Sequence, residues 1–307
     1  MSRKRGDVKK IDAGTMADPT IYALWYGQAK MLKTSLALLI PPSMRPVDYL
    51  DADRGAQIRL RLMAMTAEER EAAGVPWLPL YDLGGPWIKD GIRFYEPEEK
   101  SYYKDLWDFA TGIAPKSDAK TVVIDTISRI GDGIMQEVTH TSLTSVKGDQ
   151  KETRAKLSTN GVETIVPSQQ DFGLSQNRLM EFLGLLQANC AHKNVIIISH
   201  EKTGEIKDAS GAGRIIAGPR SIGNALLEVI PSMTDIALRF EPKVSAQMVE
   251  EGGKKMMKQV QGVSIRTRNH NIYIAGDRSG MFTDGEILDP GTFWKKFEGI
   301  ITLAQAK

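Results

Sequence analysis

Three short segments of the sequence are almost entirely apolar, at residues 21–26, 121–125 and 194–200. Runs of this kind, rich in β-branched and aromatic residues, predict strands that are buried on both faces. A similar pattern predicts a further strand at 47–50. Helical spacing of apolar residues predicts helices at 33–40, 58–73, 98–111, 174–191 and 292–304.

The early elements alternate between strand and helix, which predicts an α/β fold with a mostly parallel sheet flanked by helices. Three late strands are expected at 235–240, 263–268 and 272–275. Because they lie close together in the sequence, we expect them to add antiparallel strands at an edge of the sheet near the C-terminus. The polar stretch 243–261 is expected to separate them, and residues 18–307 are expected to form a single domain.

Several segments lack this periodicity. Residues 1–17 are expected to be a flexible basic tail, either solvated or in contact with DNA, since Arg3, Lys4, Arg5, Lys9 and Lys10 crowd its start. Prolines and glycines indicate that loops dominate 74–100. The polar, Ser- and Lys-rich stretch near 130–168 and the Gly-rich stretch 201–221 are expected to be mobile loops.

Composition narrows the class of protein. Of the 307 residues, 41% are hydrophobic and 25% are charged, which excludes a wholly disordered, collagenous or coiled-coil chain. The single cysteine, Cys190, excludes an intramolecular disulfide and a cysteine-based zinc site. A net charge of +2 does not by itself indicate nucleic-acid binding. No apolar run approaches the ~20 residues of a membrane span, so we expect no membrane partner and a cytoplasmic location.

The strongest motif follows the first predicted strand. It consists of Gly27, Gln28, Ala29, Lys30, Met31, Leu32, Lys33, Thr34 and Ser35. The phosphate-binding loop G-x-x-x-x-G-K-[ST] lies between a strand and a helix, where backbone N–H groups hold phosphate oxygens. Lys33 is therefore expected to contact the phosphates of ATP, and the Thr34 hydroxyl to ligate Mg²⁺.

One position departs from the pattern, because Leu32 replaces the second glycine. A leucine fits there if its backbone is helical and its side chain points away from the phosphates. An ordinary strand–turn–helix remains the alternative for this segment.

Carboxylates follow two of the predicted strands. Asp125 ends the strand 121–125, where an acidic residue at the carboxyl edge of a sheet holds Mg²⁺, or else caps the next turn. Asp53 is the candidate for orienting the attacking water, with Asp51 as the second choice. An aspartate is shorter than a glutamate, and an Asp-rich turn is the alternative interpretation.

Two further positions complete the candidate set. Ser199 and His200 end the strand at 194–200, where a polar side chain could sense the γ-phosphate, or simply cap the strand. Arg278 is the candidate cation that reaches the γ-phosphate of a neighbouring subunit, with a surface ion pair as the alternative.

Together these motifs resemble RecA-type ATPases, with the closest similarity to those that phages encode for recombination and single-strand annealing. The resemblance spans about residues 20–290. It is carried by GQAKMLKTSLAL, YLDADRGA, TVVIDTIS, QQDFGLSQNRLMEFLGLL, NVIIISHEKTGE, AGPRSIGNALLEVIPSMTDIALRF and IAGDRSG. It implies a RecA-like P-loop core, ATP and Mg²⁺ at subunit interfaces, and self-assembly into a ring or filament. If the protein is phage-encoded, it implies the cytoplasm of an infected host cell.

The resemblance also locates two departures besides Leu32, and the three together bring hydrolysis into question more than nucleotide binding. Asp53 lies where RecA-like enzymes place a catalytic glutamate, and Gly276 replaces the first cation of the finger region of RadA-type and DnaB-type motors, so that only Arg278 corresponds. Lys30 stands where RadA-like loops carry an extra lysine.

Single-stranded DNA is the partner that the resemblance implies, bound by the loops near 130–168 and 201–221. Their cations are Lys147, Lys151, Arg154 and Lys156 in the first loop and Lys202, Lys207, Arg214 and Arg220 in the second. Cations on loops without aromatic residues predict salt-dependent binding with no sequence readout. A single-strand DNA-binding protein is a further candidate partner.

Two other functions are open at this point. A replicative helicase or helicase loader could share the same core. A non-hydrolysing nucleotide-binding scaffold would be consistent with Leu32 in the phosphate loop.

Overall fold

A mixed β-sheet forms the centre of the protein in the computed structural model. The structure describes residues 20–74, 80, 83–145, 156–159, 162–207, 211–251, 254–269 and 272–305. The predicted basic tail at 1–17 lies outside these residues, so its flexibility stays a prediction.

The first half of the chain alternates strands and helices, as predicted. Its elements are β1 (Tyr22–Gly27), α1 (Lys33–Leu38), β2 (Val47–Asp51), α2 (Gly55–Met63), α3 (Ala67–Ala72), β3 (Ile92–Tyr95), α4 (Tyr102–Asp108) and β4 (Thr121–Asp125). Short 3₁₀ turns at Pro42–Met44 and Pro86–Lys89 and a π-helical turn at Phe109–Ile113 connect some of them.

The second half adds long helices and antiparallel strands. Its elements are α5 (Ile127–Ser145), β5 (Lys156–Thr159), β6 (Val162–Ile165), α6 (Gln169–Asn189), β7 (Asn194–Ile198), β8 (Glu201–Lys207), β9 (Gly213–Pro219), α7 (Leu226–Ser232), β10 (Ile236–Glu251), β11 (Lys254–Arg266), β12 (Gly276–Asp277), β13 (Glu286–Ile287) and α8 (Pro290–Gln305).

Nine of the described strands form the main sheet, in the order β13-β11-β10-β1-β7-β4-β2-β3, with β12 also pairing with β10. Strands β10, β1, β7, β4, β2 and β3 are parallel neighbours, whereas β11, β12 and β13 pair antiparallel. The expected α/β fold with antiparallel strands near the C-terminus is confirmed. Strand β7 lies between β1 and β4. The loop that follows β1 and the end of β4 are therefore separated by the width of one strand.

The parallel strands are buried on both faces because alternate side chains enter two cores. On one face Trp25 and Phe240 pack with α1 and α8. On the other face Leu24 and Ile197 pack with α5 and α6. This explains why these strands read as continuous apolar runs rather than as alternating ones.

Several predicted elements differ in extent. The helix predicted at 58–73 is two helices, because Thr66 and Glu69 form a reciprocal capping box that begins α3. The helix predicted at 98–111 begins at Tyr102. The region 74–100 contains the edge strand β3, whose four residues are all only half-buried and so lack a strong apolar signal.

The stretches predicted as loops contain regular structure. Helix α5 continues to Ser145, inside the supposed polar loop, and β5 pairs with β6 farther along it. Within 201–221, residues 201–207 and 213–219 form the antiparallel strands β8 and β9 of a hairpin, where a loop was predicted. In both regions cross-strand pairing satisfies the backbone of polar residues. Their mobility stays a prediction.

The polar stretch 243–261 was also predicted incorrectly. It is not a separator but the continuation of β10 and β11, which pair from Arg239 and Arg266 to Glu251 and Lys254. The strand predicted at 272–275 contributes only an isolated bridge between Tyr273 and Ala217. The segment that pairs with the sheet is instead β12.

Helix α8 closes one core with aromatic side chains. The Phe297 ring is fully buried, and its centroid lies 5.0 Å from that of Phe293 and 5.8 Å from that of Trp25. Aromatic side chains packed edge to face stabilise a core beyond the area that they bury. The C-terminal helix therefore belongs to the core that supports the phosphate loop on β1.

We expect Phe297→Ala to lower the free energy of unfolding by about 3–5 kcal/mol, because it leaves a cavity among aromatic rings. The shift of the urea midpoint measures this loss. Lys295→Ala, an exposed position on the same helix, should change stability by less than about 0.5 kcal/mol. Equal midpoints for the two variants would contradict the assignment of α8 to the core.

Candidate functional site

The loop between β1 and α1 begins at a position that only glycine fits. Gly27 has φ +148°, and a Cβ there would lie 2.2 Å from the carbonyl oxygen of Phe240 on β10. The close approach of β1 and β10 thus leaves no room for a side chain at the first residue of the motif. The sequence pattern identified this glycine correctly.

Leu32 adopts the conformation that the motif's second glycine would favour. Its φ is 60° and its ψ is 3°, in the left-handed region, which costs a non-glycine residue roughly 1–2 kcal/mol. The leucine is thus accommodated in a left-handed conformation, and not in the ordinary helical backbone under which we expected it to fit. The Leu32 side chain packs against the core that contains Trp25, so burial of the leucine offsets part of that cost.

Lys33 points back into the phosphate loop. Its Nζ donates hydrogen bonds to the carbonyl oxygens of Gly27, at 3.0 Å, and Gln28, at 2.7 Å. Burial lowers the pKa of Lys33 to about 8, although the nearby carboxylates of Asp125 and Glu201 oppose the shift. A buried ammonium held by loop carbonyls is poised to exchange these partners for phosphate oxygens.

Asp125 lies at the end of β4 with one oxygen paired and the other unpaired. The hydroxyls of Thr34 and Tyr49 donate to Oδ2 at 2.7 and 2.6 Å. Oδ1 is buried, and the residues that the structure describes offer it no hydrogen-bond partner. Burial raises the pKa of Asp125, against the effect of the two hydroxyl donors.

These groups fit a magnesium ion. The unpaired Asp125 oxygen and the Thr34 hydroxyl are the hard oxygen ligands that Mg²⁺ prefers, and Mg²⁺ in phosphate-binding sites uses one or two protein ligands plus phosphates and water. Within the described ranges no cluster of three or more His, Cys, Asp or Glu side chains could hold a metal by itself. The predicted ligands Thr34 and Asp125 are thus brought together.

The two other carboxylates have different surroundings. Asp53 lines the cavity beside the phosphate loop, where its Oδ2 accepts a hydrogen bond from Thr126 at 3.2 Å and lies 3.8 Å from Nε2 of His200. Burial would raise the pKa of Asp53, but His200 and Thr126 outweigh it and lower that pKa. Asp51 instead accepts hydrogen bonds from the N–H groups of Ala56 and Gln57 at the start of α2.

The side chains of Ser199 and His200 have different surroundings. Ser199 is fully buried and bonds with Ser128 and with the carbonyl oxygen of Arg220, so it joins β7 to α5 and to the end of β9. His200 lines the cavity, and its Nδ1 is buried without a partner among the described residues. Of the two predicted sensors, His200 alone faces the candidate site.

The cavity has a volume of about 160 Å³. Its lining comprises Lys30, Met31, Leu32, Lys33, Thr34, Ser35, Asp53, Arg59, Thr126, Ile198 and His200. Ligand pockets are usually about 300–1,000 Å³, so this volume suits a phosphate chain rather than a whole nucleotide. Arg59 and Thr126 were missed: Thr126 lies within the segment TVVIDTIS but had no assigned role, and Arg59 lies in none of the segments that carry the resemblance.

Arg278 lies near the start of β10, whereas the phosphate loop lies beside Phe240, farther along that strand. Its N–H donates to the carbonyl oxygen of Asp235, before β10, and its guanidinium lies 3.8 Å from the Asp235 carboxylate. Because Phe240 pairs with Gly27, Arg278 is roughly 16 Å along β10 from the phosphate loop. The exposed Arg278 side chain therefore does not contact the site of its own chain.

The cations of the β8–β9 hairpin have partners in their own chain. Arg214 forms an ion pair with Glu228, and Arg220 forms one with Asp132 at 3.0 Å. Lys202 donates to the carbonyl oxygen of Gly223 at 3.4 Å. The side chains of Lys147, Lys151, Arg154, Lys156 and Lys207 lie outside the described residues.

The family model of the AAA domain matches residues 20–279. The chain belongs to this family. The match includes the phosphate loop, Asp53, Asp125, His200 and Arg278, and it identifies an AAA-type P-loop ATPase, which binds nucleotide and usually Mg²⁺. No curated protein matches the chain.

The family match does not test the more specific resemblance to phage-encoded RecA-like ATPases, which stays a prediction. In the described part of this AAA domain, no helix is both long and apolar enough to cross a membrane.

A buried ion-pair network also borders the phosphate loop of this AAA domain, and sequence reasoning missed it. Arg239 pairs with Glu201 and Glu241 at 2.5 Å each, and its guanidinium lies 3.5 Å from the Tyr273 ring centroid. The network fixes the start of β8 against β10 beside Lys33. Arg239 and Glu201 are 38 residues apart in the chain, so no local pattern could have shown their pairing.

We expect nucleotide affinity to fall as the pH rises through about 8, because the Lys33 ammonium, whose pKa is about 8, then loses its charge. Fluorescence titration of a labelled ADP between about pH 7 and pH 9 measures this. Lys33→Arg keeps its charge throughout, so its affinity should be flat over that range. A wild-type affinity that stays constant to pH 9 would contradict the assignment.

Proposed function

We propose that the protein is an ATP-dependent recombination or annealing protein that binds single-stranded DNA and assembles with ATP–Mg²⁺ at its subunit interfaces. The observation that carries the ATPase part is the unpaired Asp125 oxygen beside the Thr34 hydroxyl and the Lys33 ammonium. Asp125 and Thr34 would be two ligands for a metal ion, and Lys33 supplies a cation at the end of the loop that begins with Gly27.

Each residue then has a stated role. The N–H groups of the loop and of the α1 N-terminus hold phosphate oxygens, and Lys33 neutralises the β- and γ-phosphates. A magnesium ion held by Thr34 and Asp125 would neutralise charge that develops on the phosphates. Asp53, held by Thr126 and adjacent to His200, orients the attacking water.

Arg278 acts in trans in this proposal. Its exposed guanidinium lies near the start of β10, away from its own phosphate loop, so a head-to-tail arrangement of subunits would bring it to the neighbour's site. Such an arrangement closes into a ring or continues as a filament. Arginine fingers supplied by a neighbour raise kcat by about 10³–10⁵.

Single-stranded DNA would contact the β8–β9 hairpin. His200 and Arg220 lie at the base of this hairpin, where the N–H of Arg220 donates to the carbonyl oxygen of His200. Lys202, Arg214 and Arg220 are at or near the surface, and their intrachain partners would be exchanged for phosphates. A single-strand DNA-binding protein could supply the DNA substrate.

The non-hydrolysing scaffold is a second candidate, favoured by the left-handed conformation of Leu32. A helicase or helicase loader has no specific observation in its favour. Acceleration of pairing between complementary strands, without strand displacement on a forked duplex, would support annealing over unwinding. ATP binding without phosphate release under any DNA condition would support the scaffold.

We expect Lys33→Ala and Arg278→Ala each to abolish DNA-stimulated phosphate release, by at least about 10³-fold for Arg278→Ala. Their equal mixture should recover roughly a quarter of the wild-type rate, because only interfaces that join an intact loop to an intact finger are active. Arg278→Ala should retain nucleotide affinity.

Arg268→Ala is the matched control, since Arg268 is an exposed arginine with no proposed role. It should hydrolyse ATP at the wild-type rate. A mixture of the two inactive variants that stays inactive, while both still assemble, would rule out the action of Arg278 in trans.

We expect the triple variant Lys202→Ala, Arg214→Ala, Arg220→Ala to weaken binding of single-stranded DNA and to reduce the slope of log affinity against log salt by about 2, since each phosphate contact contributes about 0.7. The control replaces the exposed lysines 89, 116 and 295, which removes the same charge elsewhere. Equal slopes for the two triple variants would place the DNA outside the hairpin.

A further inference from the structure

The hydroxyl of Tyr49 is part of the candidate site, although sequence reasoning assigned this tyrosine no role. Tyr49 lies in β2, is fully buried, and donates a hydrogen bond of 2.6 Å to Oδ2 of Asp125 on the neighbouring strand β4. A tyrosine hydroxyl that is buried beside a carboxylate is an uncommon choice for a core position, because phenylalanine would fill the same space without a polar atom to satisfy.

Strand pairing and core packing fix the position of this hydroxyl. Tyr49 pairs in register with Val123, two residues before Asp125, so its ring lies on the same face of the sheet as the carboxylate. The ring packs 5.2 Å from that of Phe94 on β3. Its position is therefore set by the sheet and does not depend on the phosphate loop.

The two carboxylate oxygens of Asp125 differ in their hydrogen bonding. Tyr49 and Thr34 both donate to Oδ2, and Oδ1 has no partner among the described residues although it is buried. Of these two donors, Thr34 is itself an expected metal ligand and belongs to the loop that binds phosphate. Tyr49 is the donor that belongs to the rigid sheet.

We propose that Tyr49 is a positioning residue for magnesium: its hydroxyl holds Asp125 through Oδ2 and so keeps Oδ1 available to the ion. The inference rests on the proposed ATP–Mg²⁺ site and adds a residue to it. Hydrogen-bond partners of metal ligands orient those ligands, and their removal typically costs about 10–100-fold in metal affinity.

Tyr49→Phe tests the proposal, since it removes the hydroxyl and keeps the ring. Binding of a fluorescent ADP is measured while Mg²⁺ is titrated, and again in excess EDTA. We expect the Mg²⁺ concentration for half-maximal enhancement to rise about 10–100-fold in Tyr49→Phe. Affinity in EDTA should equal that of wild type, because the proposed role acts only through the ion.

Tyr22→Phe is the matched control. Tyr22 is a buried tyrosine at the start of the central strand β1, and its hydroxyl donates to the carbonyl oxygen of Leu183 at 3.3 Å. Its removal should leave the Mg²⁺ titration unchanged. Urea midpoints of both variants show whether either one lowers stability, which a positioning role by itself does not require.

A second comparison places Tyr49→Phe in an Asp125→Asn background. If Tyr49 acts through Asp125, the double variant should have the same Mg²⁺ dependence as Asp125→Asn alone. Additive losses would overturn the proposal, as would a wild-type Mg²⁺ titration for Tyr49→Phe or an equal loss with and without Mg²⁺. If wild type bound no nucleotide, the proposed function itself would fail, which is a different outcome.

Discussion

Burying an ionised carboxylate is costly unless hydrogen bonds or counter-charges replace its water, and Asp125 imposes this constraint on the site. It is 2% exposed at the end of a central strand. Two hydroxyls satisfy one of its oxygens, and the Lys33 ammonium lies close enough to affect its pKa. The remaining oxygen has no partner among the described residues, and a magnesium ion is the partner that we propose for it.

The sheet brings these groups together through its strand order. Because β7 lies between β1 and β4, the phosphate loop and Asp125 emerge from strands that are not neighbours, and Thr34 spans the gap to reach the carboxylate. Tyr49 approaches from the other side, on β2. The close approach of Phe240 to Gly27 then fixes where the loop begins.

Within one subunit, strand β10 extends from the candidate finger Arg278 to the phosphate loop. Its fifth residue, Phe240, packs on the first glycine of the phosphate loop, and its first residue, Ile236, pairs with Asp277, next to Arg278. The phosphate loop and the candidate finger thus lie near opposite ends of the segment Ile236–Phe240 of β10. In the proposed assembly these two regions of neighbouring subunits would meet head to tail.

The sequence by itself determined the parallel core, the phosphate loop, Lys33, Thr34 and Asp125, because these depend on local signals: apolar runs, a glycine at a strand end and a carboxylate at the next. It could not determine the pairing of 201–207 with 213–219 or of 243–251 with 254–262, because these mostly polar segments carry no clear apolar period. Nor could it show that Leu32 is left-handed, since that conformation follows from how β1 and α1 meet. Tyr49, Thr126 and Arg239 act on groups that are 38 to 76 residues away in the chain. Only the tertiary structure decided those contacts, because hydrogen bonds and ion pairs form between side chains that strand pairing makes neighbours, whatever their separation in sequence.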